Sequence, residues 1–227
     1  MSSDAIYLAT IWVIPVIVAI TFHEAAHGYV AYLLGDETAW RLGRVSLNPV
    51  KHIDLTGTIL LPGLLLLLRA PFLFGYAKPV PVNFRALRWP RRGMALVAAA
   101  GPAMNLALAV LAALGFHLVG YFPATGAQWL ANNLKNALIL NVMLAAFNLF
   151  PLPPLDGGRI LVSILPGPLA TGVAKLEPYG LLILIGLLLV LPMLGAQLGV
   201  DLSVVSHALA IATGVIITAI LYLTGNN

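Results

Sequence analysis

The motif His23-Glu24-Ala25-Ala26-His27 lies within a long apolar stretch, residues 6–34, which predicts a single helix. On a helix, side chains four positions apart share a face and are separated by about 6 Å along the axis. Both imidazoles can therefore bind one ion. Glu24 lies beside that ion but one step round the helix, where a general base for a metal-bound water would stand.

A purely structural role for these side chains is the alternative. A lone histidine in an apolar helix is commonly a hydrogen-bonded core residue. Three ionisable side chains within five membrane-embedded residues, however, would cost several kcal/mol unless they were paired or ligated. In a chain of this composition, a chance match to the motif is about a one-in-several-hundred event. The motif therefore predicts a metal site.

The composition is typical of an integral membrane protein. Of the 227 residues, 60% are hydrophobic and 9% are charged, whereas soluble domains carry about 25% charged residues. The mean hydropathy is +0.97. We expect one membrane-embedded domain over residues 1–227, in contact with the lipid bilayer along most of its length. The chain has no cysteine, which excludes disulfides and thiolate chemistry.

Apolar stretches predict five membrane spans, over residues 6–34, 94–119, 130–150, 179–194 and 204–223. A further stretch, residues 55–74, is interrupted by Pro62, Arg69 and Pro71, so whether it crosses the membrane or re-enters stays open. The expected fold is an all-α polytopic membrane protein of five or six transmembrane helices.

A small β or re-entrant element is expected between the first two clear spans. Residues 37–54 alternate polar and apolar side chains, which permits a short strand or hairpin. Residues 75–84 are held extended by Pro79 and Pro81, and proline also suits an edge strand.

The basic residues indicate the orientation. Nine of the twelve Lys and Arg residues lie between Arg41 and Arg92, and the positive-inside rule places that region in the cytoplasm. If residues 55–74 do not cross, the N-terminus is outside and the C-terminus is inside. The net charge of +4 is a topology signal of this kind, so we expect no nucleic-acid partner.

A tetrahedral zinc held by two histidines needs one more protein ligand besides an open position for water. The three other histidines are isolated in the sequence. Among the few carboxylates, Asp156 stands out because it follows a proline run at a helix end and precedes Gly157-Gly158, which allow close backbone approach. The alternative for Asp156 is a cap for the following helix.

The pairing of His23-Glu24-x-x-His27 with Asn148-x-x-Pro151-x-x-x-x-Asp156-Gly157 resembles the site-2 protease family of intramembrane zinc metalloproteases. Gly101-Pro102-x-x-Asn105 and the Lys78-Pro79-Val80-Pro81-Val82-Asn83 segment are further elements of the same pattern. The resemblance covers residues 6–165, which would form the catalytic core, with accessory spans at about 178–224.

The resemblance implies that Asp156 is the third ligand of one zinc ion per chain. It also implies that Asn105 and Asn148 face the catalytic cavity, and that the substrates are transmembrane proteins. We expect none of the PDZ or CBS modules that some relatives carry. The small size of the chain indicates, by resemblance, the plasma membrane of a prokaryote. The oligomeric state stays open.

The expected chemistry follows from these side chains. Bound zinc would lower the pKa of its water towards 7, and Glu24 would accept the proton and later deliver it to the leaving amine. Asn105 or Asn148 could donate a hydrogen bond to the oxyanion, a contact worth about 3 kcal/mol. The alternative for both asparagines is hydrogen bonding between helices.

A substrate helix must unwind before its peptide bonds can be attacked. The extended residues 80–84 could hold the unwound stretch by strand addition, although an ordinary connecting loop is the alternative. A metal transporter and a metal-binding scaffold without proteolytic activity are the alternative functions. A metal transporter would place ionisable groups along a path, often with repeat symmetry, and none is visible. A scaffold with a structural metal would not need Glu24.

Overall fold

The computed structural model describes residues 3–60, 64, 67 and 77–226. We number the α-helices in chain order: α1 (Ser3–Leu33), α2 (Thr38–Arg41), α3 (Pro90–Gly115), α4 (Ala124–Asn148), α5 (Asp156–Ile164), α6 (Gly167–Ala174), α7 (Gly180–Ile185), α8 (Leu191–Leu198) and α9 (Val204–Leu223). Short 3-10 turns occupy Pro49–His52, Phe116–Tyr121 and Glu177–Tyr179, and π-helical turns occupy Leu55–Leu60 and Gly186–Val190.

Five helical stretches of the described chain are long and apolar enough to cross a membrane: Ile6–Leu33, Pro90–Tyr121, Ala124–Asn148, Gly167–Leu198 and Val204–Leu223. The prediction of an all-α protein with five spans is therefore confirmed. The buried share of the span falls from 39% in α4 to 6% in α9. The α4 helix is thus central, whereas α9 leaves most of its side chains to the surrounding lipid.

The centre of the fold is the packing of α3 against α1, α4 and α5. Alanines at positions 109, 112 and 113 of α3 are buried against Leu138 and Val142 of α4. Small side chains let membrane helices approach closely, which strengthens dispersion contacts where no hydrophobic effect drives association. This packing brings the first helix beside the middle of the chain.

Asparagines of α4 complete the hydrogen bonding of α1. Pro15 lies inside α1 and has no N–H, so the carbonyl of Ile11 lacks its usual helical donor. The side-chain amide of Asn136 donates to that carbonyl at 2.8 Å. In lipid, an unsatisfied carbonyl would cost several kcal/mol. The helix therefore tolerates its proline because α4 supplies the missing donor.

The strand or hairpin predicted for residues 37–54 is wrong. These residues form α2 and the turn Pro49–His52, and no strand occurs in the part of the chain that the structure describes. Short polar side chains explain the difference: Asp36 accepts from the Thr38 N–H at 3.0 Å, and Asn48 accepts from the Val50 N–H at 3.0 Å. Such local bonds favour turns over a ladder. Of the apolar stretch 55–74, for which crossing and re-entry both stayed open, residues 61–63, 65–66 and 68–74 fall outside the described residues.

Residues 77–83, which we call the strap, form neither helix nor strand, and the extended backbone expected for residues 75–84 stays a prediction. Hydrogen bonds hold the strap near both ends. The Lys78 N–H donates to the His52 carbonyl at 2.9 Å. The Asn83 N–H donates to the buried carboxylate of Asp36 at 2.6 Å. The strap is therefore fastened to the segment that follows α1.

Candidate metal centre

The structure brings His23, His27 and Asp156 together, although α1 and α5 are far apart in the sequence. One ligand atom from each lies within 4.8 Å of the others. The Oδ2 atom of Asp156 is 3.3 Å from Nε2 of His23 and 3.4 Å from Nε2 of His27, and the two Nε2 atoms are 3.1 Å apart. All three side chains are buried. The predicted ligand set thus occupies one point inside the helical bundle.

Two glycines allow Asp156 to reach this point. Asp156 is the first residue of α5, directly after the proline run. A Cβ atom on Gly157 would overlap the backbone carbonyl of Leu149, and one on Gly158 would overlap the backbone nitrogen of Pro153. Only glycine permits this close packing of the start of α5 on the end of α4, as the sequence predicted.

Hydrogen bonds at the far side of each imidazole determine its tautomer. Nδ1 of His23 lies 2.5 Å from Oδ1 of Asn105, and Nδ1 of His27 lies 2.7 Å from the backbone carbonyl of Val97. Both partners are acceptors, so each Nδ1 carries the proton and donates. Each Nε2 therefore turns a lone pair towards the other imidazole and towards Asp156.

Three electron-pair donors facing one another in a buried site fit a bound cation. Oδ2 of Asp156 is buried and has no hydrogen-bond partner in the described structure. Gly101 of α3 leaves room beside the cluster, since a Cβ atom there would overlap Nε2 of His27 and lie 2.6 Å from Nε2 of His23. Two imidazoles and one carboxylate are the donor set of catalytic zinc sites, which keep a fourth position for water.

The strap contacts Glu24, the predicted general base. One carboxylate oxygen, Oε2, accepts a hydrogen bond from the Val80 N–H at 2.8 Å. Val80 is buried, and a Cβ atom on Gly28 of α1 would lie 3.0 Å from its Cγ1 atom. Val80 of the strap thus contacts α1 at Glu24 and, one turn later, at Gly28. No local signal in the sequence connected the strap with Glu24.

The two predicted asparagines differ in position. Asn105 is bonded to His23, so it lies at the rear of the ligand rather than on the face that meets Asp156. Asn148 is the last residue of α4, and its amide donates to the Leu144 carbonyl of the same helix at 3.0 Å. Among the described residues, Asn148 has no hydrogen bond to Glu24 or to the three clustered side chains.

A helix-borne H-E-x-x-H motif completed by a distant aspartate, within a bundle of apolar helices, defines a membrane metalloprotease. The profile of Peptidase family M50 matches residues 121–191. Together with the relatives described next, this match shows that the chain belongs to Peptidase family M50, the site-2 protease family of zinc metalloproteases.

Three bacterial relatives support this assignment. "Putative zinc metalloprotease YwhC" of Bacillus subtilis (strain 168) is 43% identical over 178 residues, which cover 75% of this chain and 76% of that protein. "Putative zinc metalloprotease Rip2" of Mycobacterium tuberculosis (strain H37Rv) is 31% identical over 205 residues, covering 88% and 76%. Its namesake in Mycolicibacterium smegmatis is 32% identical over 174 residues, covering 76% and 64%. No solved structure matches the chain.

Gly101→Ala tests the room beside the cluster. The added methyl group would press on both imidazoles, and overpacking of this kind costs about 1–3 kcal/mol. We therefore expect zinc affinity to fall by about 10- to 100-fold, measured by competition with a chelator on the purified protein. Gly214→Ala, in α9, is the matched control because its methyl group would meet nothing within 4 Å. Equal zinc affinity in the two variants would contradict this geometry.

Proposed function

We propose that this chain is an intramembrane protease that, with one zinc ion bound, hydrolyses peptide bonds within or near the transmembrane segments of other membrane proteins. The supporting observation is the convergence of three buried acceptor atoms, two of which belong to the same helix as Glu24, and this helix is long enough to cross the membrane. His23, His27 and Asp156 would hold the ion, which when bound supplies an activated water and polarises the peptide carbonyl.

Glu24 would act as the general base. The Val80 N–H fixes its Oε2 atom at 2.8 Å, which restrains the carboxylate and leaves Oε1 to take a proton from the attacking water. The same carboxyl group would then protonate the leaving amine. A base held by backbone rather than by a flexible side chain keeps its position when the substrate enters.

We propose Asn148, rather than Asn105, as the donor to the oxygen that becomes negative during attack. The Asn105 oxygen already accepts from His23 and its amide nitrogen already donates. The Asn148 amide is engaged by a contact within its own helix, which it can exchange for a substrate oxygen. A donor of this type contributes about 3 kcal/mol to the transition state.

Glu24→Gln tests the proposed chemistry. The amide keeps the shape of the side chain but does not accept the proton of the attacking water. Cleavage of a panel of single-span membrane peptides should therefore fall by about 10²- to 10⁴-fold, with the zinc content unchanged. Glu37→Gln is the control, because Glu37 is exposed and forms an ion pair with Arg41. A Glu24→Gln variant that cleaves as fast as wild type, or a wild type that moves zinc across liposomes without cleaving, contradicts the proposal.

Between Pro79 and Asn83, the strap offers an unwound substrate one backbone donor. Pro79 and Pro81 have no N–H, the Val80 N–H is bonded to Glu24, and the Asn83 N–H is bonded to Asp36. In the described structure, the Val82 N–H has no hydrogen-bond partner. We propose that it pairs with a carbonyl of the extended substrate, in the manner of strand addition.

Val82→Pro removes that donor, whereas Val82→Ala keeps it and shortens the side chain. A neutral hydrogen bond contributes about 0.5–1.5 kcal/mol, so we expect the proline variant to have a kcat/KM about 3- to 10-fold below that of the alanine variant. Zinc content should be equal in both. Peptide cleavage under single-turnover conditions measures the difference, and equal rates would leave strand addition at Val82 without support.

We propose that the segment between α1 and α3 faces the cytoplasm, in the plasma membrane of a prokaryote. Seven of the twelve basic residues lie in this segment, and Arg91 and Arg92 follow in the first turn of α3. Five spans then place residues 122–123 and 199–203 outside. The bacterial origin of the relatives supports the choice of membrane.

The cysteine-free chain allows a direct test of this orientation. Leu47→Cys and Thr125→Cys each introduce one exposed thiol, on opposite sides of the proposed membrane. A membrane-impermeant thiol reagent added to intact cells should label Thr125→Cys and leave Leu47→Cys unlabelled until the cells are broken. The reverse pattern would invert the topology.

A further inference from the structure

Asn105 forms all of its side-chain hydrogen bonds inside the bundle. It is fully buried, with 0% of its surface exposed. Its Oδ1 atom accepts from Nδ1 of His23 at 2.5 Å. Its Nδ2 atom donates to Oδ1 of Asn141 at 2.8 Å and to the carbonyl of Ala19 at 3.2 Å. No amide hydrogen is left for a substrate.

Asn141 fixes the direction of this chain of bonds. It is 2% exposed, and its own Nδ2 atom donates to the Ala137 carbonyl at 2.9 Å. Its Oδ1 atom therefore faces Asn105, which must turn Nδ2 towards it and Oδ1 towards His23. Flipping either amide would place two acceptors or two donors against each other, which is costly in a buried site.

We infer that Asn105 and Asn141 are positioning residues for a metal ligand: acting as a pair, they keep the proton of His23 on Nδ1 and aim Nε2 at the metal centre. The inference rests on the proposed zinc site and adds to it a role for Asn105 and Asn141 behind His23. Outer partners of this kind fix the tautomer and the ring orientation of ligating histidines. His27 receives the same support from the Val97 backbone carbonyl, which no side-chain substitution removes.

Hydrogen bonding between helices, without influence on the metal, is the competing explanation. The chain contains a matched example in Asn136. It is also a buried asparagine of α4, and its amide donates to the Ile11 carbonyl of α1 at 2.8 Å. Asn136 donates to a backbone carbonyl. Asn105 and Asn141, in contrast, are connected to the imidazole of His23 by side-chain hydrogen bonds.

The test measures zinc affinity of the full chain in detergent or nanodiscs, by competition with a chelator. Asn105→Ala should bind zinc about 10- to 100-fold more weakly than wild type. Asn141 does not contact a metal ligand. Asn141→Ala keeps Asn105 but removes the acceptor that fixes the orientation of the Asn105 amide, so a smaller loss of zinc affinity, about 3- to 10-fold, is expected. Asn136→Ala should bind zinc as wild type does while unfolding at a lower temperature, because one interhelical bond is lost.

Two further measurements separate positioning from catalysis. Asn105→Asp keeps an acceptor oxygen for His23 but loses the amide donor, so it should bind zinc more tightly than Asn105→Ala. With cobalt in place of zinc, the visible spectrum of Asn105→Ala should differ from that of wild type, because the orientation of the His23 imidazole is no longer fixed. Asn136→Ala should keep the wild-type spectrum.

Three outcomes overturn the inference. If Asn105→Ala and Asn141→Ala bind zinc as tightly as wild type while cleavage falls, Asn105 acts on the substrate. If Asn136→Ala weakens zinc binding as much as Asn141→Ala, the effect is general packing. If wild type binds no zinc, or Asp156→Ala leaves the zinc affinity unchanged, the proposed metal site fails together with the inference. The first two outcomes overturn only the positioning role and leave the metal site intact.

Discussion

Three buried electron-pair donors that face one another set the constraint on which the rest of this structure depends. The two Nε2 atoms and Oδ2 of Asp156 lie 3.1–3.4 Å apart, and without a cation they would repel one another in a medium that screens charge poorly. The surrounding chain meets this constraint in two ways. Hydrogen bonds direct each imidazole proton away from the centre, and glycines at positions 101, 157 and 158 remove the side chains that would obstruct the approach.

Asparagine serves two purposes in this bundle with the same chemistry. At Asn136 the amide replaces the helix donor that Pro15 removes, so the benefit is to the stability of α1. At Asn105 the amide joins three helices, because it bonds His23 of α1 and Asn141 of α4 from its position on α3. A shift of any of these helices would therefore disturb the ligand. The geometry of the metal centre therefore depends on the packing of the bundle.

The spans and the two histidine ligands could be predicted because their signals are local: long apolar runs, and histidines four residues apart. The sequence around Asp156 left a ligand and a helix cap equally open, and only the family resemblance implied the third ligand. The strand predicted for residues 37–54 was wrong because alternation is a weak signal, which the local hydrogen bonds of Asp36 and Asn48 override. The contacts of Asn105 and Val80 depend on helix rotation and on the path of the strap. Both are long-range properties, so no window of sequence contains them.

The strap gives the proposed reaction a physical link between substrate binding and proton transfer. In extended backbone, neighbouring residues on one side are two positions apart, or about 7 Å. The N–H that holds Glu24 belongs to Val80, and the donor proposed for the substrate belongs to Val82. A substrate strand paired at Val82 would thus lie close to the base, on a segment fastened by Asp36 near its end. Because one short backbone segment contacts the base and receives the substrate, displacement of the strap would affect both steps together, whereas the imidazoles, held by α3, would keep the metal.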